Sequence, residues 1–459
     1  MIVAGARMHG NLPLTPDTPS PSLGYSYRIS SVTALSGFLF GFDTAIINGA
    51  IVFLRRHFQW TEIETEFAAG SLLAGCALGA GAAGALSDRF GRKFVLLLSA
   101  VIFALSSVAT ALPNGLGAFV AARVVAGVAI GIASMLAPLY IAEVSPAAIR
   151  GRLVSMNQLA IVLGILVSYL VGWALAGLGD ESWRWMFAVA AVPSLFFLGA
   201  LFFVPESPRW LVKEGRHAEA AQVLARLGEP PSRLREIERV IAEESGSLRQ
   251  LLEPGMRRPL LIGVTLAILQ QVTGINTVLY YGSIIFTEQA GVASTSAALW
   301  ANVLVGVTNL VLTVVALFTI DRLGRKVLLI AAAAGMGLSL AALGLVFRAG
   351  SVTPSSVLAL ILLYVAFFSF GMGPGVWVVI SELFPTRIRG RAMSLATVAL
   401  WLACLLITLT FLSLVKAFTA AGAFWIYASM CAGTVWFVWK FTPETKGKNL
   451  EEIEQQWKR

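Results

Sequence analysis

The sequence predicts an all-α integral membrane protein, with twelve transmembrane helices in two six-helix halves and a cytoplasmic helical insert between them. Three observations carry that prediction. Of 459 residues, 57% are hydrophobic and only 13% charged, with a mean hydropathy of +0.79. A soluble protein of this size carries roughly 25% charged residues, so only a low-polarity solvent accommodates the deficit. Twelve runs each reach the roughly 20 apolar residues that a helix needs to cross a bilayer. Finally, three motifs occur twice, in the same order and at nearly the same offset.

In chain order, a polar, Pro-rich stretch (1–27) reads as a disordered cytoplasmic tail, without the pattern of a cleavable signal peptide. The first half, 28–204, holds runs at about 28–50, 67–86, 94–113, 118–143, 153–176 and 184–204. Residues 205–258 turn charged and helix-patterned ("EAAQVLARL", "RLREIERVIAEE") and read as a soluble intracellular insert. The second half, 259–441, holds runs at about 259–288, 298–320, 327–348, 356–383, 392–415 and 422–441, and 442–459 forms a cytoplasmic tail. "SDRFGRK" at 87–93 returns as "IDRLGRK" at 320–326, offset 233; "EVSPAAIRGR" at 143–152 returns as "ELFPTRIRGR" at 382–391, offset 239; "PESPRWL" at 205–211 is echoed by "PETKGKNL" at 443–450, offset 238. Parallel halves with a site at mid-membrane between them are a transporter architecture.

The net charge of +9 does not point to nucleic acid, because its distribution is topogenic. Five of the 34 Lys and Arg residues lie in or beside predicted outer loops (Arg55, Arg56, Arg184, Arg348, Lys416) and one, Arg123, lies inside a span. The rest fall on the side that the positive-inside rule makes cytoplasmic, placing both termini there. A multi-pass protein of a bacterial-type inner membrane is expected, with lipid as its surroundings. The three cysteines fall in predicted spans and the three histidines in tails or loops. No metal, cofactor or nucleophile–base set is indicated, so an enzyme is not expected. "GAGAAG" at 79–84 has the letters of a dinucleotide fingerprint, but it lies within the second span with no preceding strand. Its glycines, like Gly127 and Gly131 in the fourth, read as small residues that let membrane helices approach.

Asp43, in "LFGFDTAIING", and Arg123 are the ionisable residues near mid-span. An ionised Asp at the bilayer centre costs about 2.5–3.5 kcal/mol on insertion scales, so a pairing of the two is expected. Buried membrane charges mark ion or proton pathways, and a carboxylate whose protonation depends on its counter-ion can carry a proton. In the seventh span, "LQQVTGINTVLYYG" places Gln270, Gln271 and Asn276 around Gly274. Amides both donate and accept, which suits an uncharged polyhydroxylated ligand; Gln158, Asn309, Trp377 and Trp401 extend the set. "GMGPGVW" at 371–377 marks a bend beside it. The duplicated loop motifs supply acid–base groups at helix ends: Asp88, Arg89, Arg92, Glu143, Arg150, Arg152, Glu206 and Arg209 in the first half, Asp321, Arg322, Arg325, Glu382, Arg389, Arg391 and Glu444 in the second. They are expected to act as gating pairs that lock the two halves in one state and separate in the other.

These motifs together resemble the sugar porter family of the major facilitator superfamily over roughly residues 28–450. The residues that carry the resemblance are "GFDTAIING", "DRFGRK", "RVVAGVAIG", "PLYIAEVSPAAIRGR", "PESPRWL", "QQVTGIN", "DRLGRK", "GPGVWVVISELFPTRIRGR" and "PETKG". The family includes bacterial xylose– and glucose–proton symporters and passive animal glucose facilitators. The resemblance implies the major facilitator fold, a coupling pair at Asp43 and Arg123, and sugar contacts at Gln158, Gln270, Gln271, Asn276, Asn309, Trp377 and Trp401. Passive facilitators carry Asn where this chain has Asp43, which favours proton coupling. Two positions depart from the pattern. Ile165 stands where the xylose symporters carry a second Gln, and Leu400 precedes Trp401 where an amide is common; both remove hydrogen bonds. The reading is therefore a monosaccharide–proton symporter working by alternating access, with small-molecule sugar and proton as partners and a monomer as the expected state. An uncoupled uniporter on the same fold is the first alternative and a non-transporting sugar sensor the second.

Overall fold

The computed structural model describes residues 23–146, 149–243, 255–384 and 389–446, except for the side chains of Leu23, Glu243, Asp321 and Arg389. Most of both expected tails and part of the insert lie outside these residues. Among the described residues the protein is helical throughout, with no strand.

Twelve helices are long and apolar enough to cross a membrane: Gly24–Phe58, Glu62–Phe90, Arg92–Ala111, Leu116–Val144, Arg150–Leu178, Ser182–Leu201, Arg257–Gln289, Thr295–Ile320, Arg325–Arg348, Pro354–Leu383, Gly390–Thr408 and Phe411–Phe441, hereafter spans 1 to 12. Several outrun their hydropathy-based extents. Span 1 begins inside the stretch expected to be a tail and continues through Arg55 and Arg56. Hydropathy marks the hydrocarbon core, whereas a helix continues through the polar interface until a cap stops it. Thr61 and Thr353 provide such starts, each closing a capping box, with Pro354 at the first helical position after Thr353.

Residues 205–243 form three short helices, Pro208–Lys213, His217–Arg226 and Ser232–Glu243. They follow span 6 and precede span 7, so every odd-numbered span runs away from the insert and every even-numbered span returns to it. This alternation defines an insert side and an opposite side.

The first half is welded by backbone contact. A Cβ on Gly41 would overlap the carbonyl of Ile161, and one on Gly164 that of Phe38, so spans 1 and 5 touch through their main chains. Gly75 and Gly79 on span 2 meet Gly127 and Gly131 on span 4 in the same way, as small-residue spacing in a membrane helix suggests. Of the glycines in "GAGAAG", Gly79 alone makes such a contact; Gly81 and Gly84 have nothing nearer than 3.9 Å. Across the halves, span 2 packs on span 11, span 5 on span 8 and span 1 on span 7. The first two of these pairings exchange under the duplication.

The second half is less regular. Span 7 breaks at Gly274, whose φ of 91° places it in the left-handed region. π-helical turns interrupt span 7 at Ile285–Gln289 and span 10 at Phe368–Met372. Span 12 contains a kink at Thr419, with φ 64° and ψ 168°. A β-branched residue at positive φ is an outlier that the surroundings must impose. Phe411–Phe418 is therefore a separate helical segment on the opposite side, and the membrane crossing starts after it, near the expected residue 422.

Replacing Gly131 with alanine should lower stability by about 1–3 kcal/mol through overpacking, whereas Gly81→Ala should be neutral. Thermal unfolding in detergent, followed by size-exclusion recovery, measures the difference.

Candidate functional site

Asp43 and Arg123 meet in the middle of the first half. The guanidinium donates through Nη1 to Asp43 Oδ1 at 3.1 Å and through Nη2 to the Asp43 backbone carbonyl at 3.2 Å, and both residues are buried. Beneath it the Phe187 ring lies 5.2 Å from the guanidinium carbon. The geometry is incomplete: Asp43 Oδ2 and Arg123 Nε are buried without a hydrogen-bond partner. Span 1 packs on span 4 and brings these two side chains together, so the pair expected from the sequence is realised. One carboxylate oxygen accepts from the arginine, and the other has no hydrogen-bond partner among the described residues.

Three of the predicted amides, Gln270, Gln271 and Asn276, form a chain at the break of span 7 beside the bend of span 10. Gln270 donates both its N–H groups, to the carbonyls of Met372 (2.9 Å) and Gly373 (3.0 Å). These carbonyls close the π turn ahead of Pro374, so Gln270 supports the bend. Its Oε1 accepts from Gln271 Nε2 at 3.2 Å, and Asn276 Nδ2 donates to Gln271 Oε1 and to Cys404 Sγ. Asn309, one span away, accepts from Ser369 Oγ at 2.8 Å within the same π turn. Trp401 meets Phe40 of span 1 edge-on at 5.3 Å across the halves, and its indole Nε1 is buried without a partner. Trp377 and Gln158 are half-buried, and Gln158 makes no hydrogen bond among the described residues. Ile165 and Leu400 are buried apolar groups. The cluster thus offers free amide and indole groups beside aromatic faces, and it also includes Phe40, Tyr280 and Cys404, which the sequence motifs did not single out.

The duplicated loop motifs build the same knot twice. In the first half Arg92 donates to Glu143 at 3.1 and 3.3 Å and to Asp88 at 3.1 Å, while Glu206 accepts from the backbone N–H groups of Arg92 and Lys93 at the start of span 3. In the second, Arg325 donates to Glu382 at 3.1 Å, and Glu444 accepts from the N–H groups of Arg325 and Lys326 at the start of span 9. Each glutamate occupies a helix N-terminus, where unpaired N–H groups and the helix dipole favour an anion. Burial pushes the Glu206 carboxyl up, against the N–H groups around it. Burial also raises Glu444, but the N–H groups of Lys446, Lys326 and Arg325 outweigh it and hold that carboxyl below the ordinary value.

In the state described, the acid–base groups expected to gate pair within their own half. The ion pairs described for Asp88, Arg92, Glu143, Arg325 and Glu382 join elements of one half or its adjoining segment. The reason is geometric: the repeated Arg starts the third helix of its half, beside the end of the fourth. Among the other expected gating residues, Arg89, Arg152 and Arg322 are exposed, while Arg150, Arg209 and Arg391 are half-buried. Arg150 faces the insert, near Glu229 and Glu236. The side chains of Asp321 and Arg389 lie outside the described atoms.

On the opposite side, polar contacts among the described residues bridge the halves. Asn48 of span 1 donates to Leu279 O at 2.9 Å and to Asn302 Oδ1 at 3.1 Å, and accepts from the Ser283 N–H at 2.8 Å. Tyr169 of span 5 donates to the same Leu279 carbonyl. Arg55 pairs with Glu288, Lys416 with Glu62, and Ser413 with Glu66. The opposite side is therefore fastened. Asn48 stands within the quoted "GFDTAIING", so an uncharged polar group in that run was the available signal.

Twelve spans in two duplicated halves, with a buried ion pair inside the first and an amide–aromatic cluster at the breaks of spans 7 and 10, define a membrane transporter of the major facilitator fold. The chain belongs to the family described as "Sugar (and other) transporter", which it matches over residues 29–457. It is 40% identical over 475 residues to the D-xylose-proton symporter of Escherichia coli K12, covering 94% of this chain and 96% of that one. It is 39% identical over 460 residues to the arabinose-proton symporter of Bacillus subtilis 168, covering 97% and 98%. Among solved structures, the partially occluded inward open xylose transporter XylE of E. coli superposes with a TM-score of 0.83 at 36% identity, covering 93% of this chain and all of that one.

Two outcomes test these assignments. Gln270→Ala removes the two hydrogen bonds that tie span 7 to the Met372 and Gly373 carbonyls and should cost about 1–3 kcal/mol of stability, whereas Gln158→Ala should leave thermal unfolding nearly unchanged. Because the folded-state carboxyl of Glu444 is depressed, its ionised form stabilises the fold above the ordinary carboxylate value of 4.5 and that contribution is lost as pH falls through the folded value. Wild type should outlast Glu444→Gln on heating at pH 7, and the gap should close on acidification.

Proposed function

We propose that this protein carries a monosaccharide across the membrane together with a proton, alternating between states open to either side. The observation that carries the reading is the buried Asp43–Arg123 pair with its unoccupied Oδ2, in a chain whose relatives include proteins named as pentose–proton symporters. Asp43 takes up the proton; Arg123 holds the carboxylate when the proton is absent and so links protonation to how closely spans 1 and 4 pack. Gln158, Gln271, Asn276, Asn309 and the Trp401 indole bind sugar hydroxyls, Trp377 covers a ring face, and Gln270 keeps the span 10 bend in place. The basic loops support an inner-membrane orientation with the insert and both termini in the cytoplasm. In that orientation the fastened side is the outer one. The flanking ion-pair knots then hold the insert-side helix ends of each half together during the exchange, and the proposed unit is the single chain.

The coupling has a measurable size. If one charge enters per sugar, each 100 mV of membrane potential contributes about 2.3 kcal/mol, and at about 1.4 kcal/mol per tenfold this supports roughly 40-fold accumulation. In proteoliposomes, wild type should accumulate radiolabelled sugar when a pH gradient or potential is imposed. Asp43→Asn should lose accumulation yet keep sugar exchange. Uptake indifferent to the gradient in wild type would defeat the symport and leave a uniporter. Gln158→Ala should raise the sugar KM at least severalfold, and a screen of pentoses and hexoses by thermal shift identifies the substrate.

A further inference from the structure

Span 2 carries a buried carboxylate that neither proton nor sugar binding uses. Glu66 is 2% exposed and lies one turn into span 2, on the outer side. Its own helix does not need it, because Thr61 and Glu64 already close the N-terminus with a capping box. The carboxylate instead reaches across to the second half. Oε1 accepts from the Ser413 backbone N–H at 2.8 Å and Oε2 from the Ser413 hydroxyl at 2.7 Å, with the Leu412 N–H directed at the same group. Leu412 and Ser413 are in the first turn of the Phe411–Phe418 segment. That turn lacks a cap of its own: the Thr410 hydroxyl donates backwards to Leu406 and Ile407 carbonyls.

The segment is therefore finished from another domain. One turn away, Glu62 pairs with Lys416 at 3.2 Å. At its other end the segment meets Thr419, held at positive φ, so it is joined to the membrane-crossing part of span 12 through a strained link. On its inner face Phe411 packs 5.4 Å from the Tyr281 ring, on the outer part of span 7, and 6.4 Å from Tyr427. An anion and uncapped N–H groups buried together satisfy each other, and separating them without water leaves both unsatisfied.

We infer that Glu66 is a positioning residue for alternating access: it latches the Phe411–Phe418 segment to span 2 and sets how strongly the outer side stays closed. Opening the outer side parts span 2 from this segment, and the latch breaks as water enters to solvate both partners. The inference rests on the alternating-access reading, not on the identity of the sugar or on proton coupling.

The test places nitroxide labels on cysteines at Ile63 and Ala417, both exposed, in the full-length protein; the three native cysteines are buried. Pulsed electron–electron resonance without sugar should show one short distance in wild type. Glu66→Gln keeps the shape and a weaker hydrogen bond, and should raise the weight of a longer distance by about three- to tenfold, in line with charge–helix-terminus interactions. Glu66→Ala should raise it further. Sidedness gives the second readout: Glu66→Gln should lower the apparent KM for sugar offered from outside and raise it from inside, because a binding-competent population has grown at one face. A purely structural role would lower stability and leave that ratio unmoved. Unchanged distances in Glu66→Gln, or an unchanged KM ratio, overturn the latch. Failure of proton coupling alone leaves the distances as stated and so is told apart.

Discussion

The main-chain contact of Gly41 on Ile161 and of Gly131 on Cys76 is the constraint from which the site follows. Those contacts hold spans 1 and 5, and spans 2 and 4, as close pairs; span 1 also packs on span 4, where the Arg123 guanidinium reaches both the carboxylate and the backbone carbonyl of Asp43. A low-polarity surrounding then makes the pair obligatory, since either charge alone is expensive there. The buried ring of Phe187 beneath Arg123 excludes other partners on that face. What the pair lacks is full satisfaction, and the unoccupied Oδ2 is the chemically useful part of it.

Much of the fold was legible in the sequence because the membrane simplifies the code. Composition, twelve apolar runs and repeated basic loops identify spans and their alternation with few competing readings. The charged partners were legible for a related reason: with so few ionisable residues in the spans, Asp43 had one available counter-charge. The weakest of the three repeats turned out to be a structural equivalence, since Glu206 and Glu444 close corresponding helix starts.

Other features were not legible, for identifiable reasons. The knots at Arg92 and Arg325 look in sequence like any acid–base pair at a helix end; which half each partner belongs to depends on how the third and fourth helices of a half cross. That Gln270 also bonds the Met372 and Gly373 carbonyls beside the span 10 bend was not legible, because the place of those carbonyls depends on how spans 7 and 10 pack. The fastening of the side opposite the insert was not legible because Asn48, Tyr169 and Glu66 each bond partners more than 100 residues away. Span ends were misjudged at 411–418 because an apolar segment that lies on the surface and one that crosses have similar hydropathy.

The two halves share a skeleton but not a stiffness. On the insert side Glu143 is held by Arg92 and by the Ser207 hydroxyl, and Asp88 by Arg92, Lys213 and, through its carbonyl, the Trp210 indole. The insert thus bolts the ends of spans 2, 3 and 4 into one block, whose helices carry none of the π turns found in spans 7 and 10. The breaks at Gly274, Phe368–Met372 and Thr419 are all in the other half. The duplicated ancestor's symmetry has accordingly been divided into a stator and an arm. The irregular backbone is thus concentrated in the arm, around the amide cluster, while the Asp43–Arg123 pair sits in the half held by main-chain contact and by the insert.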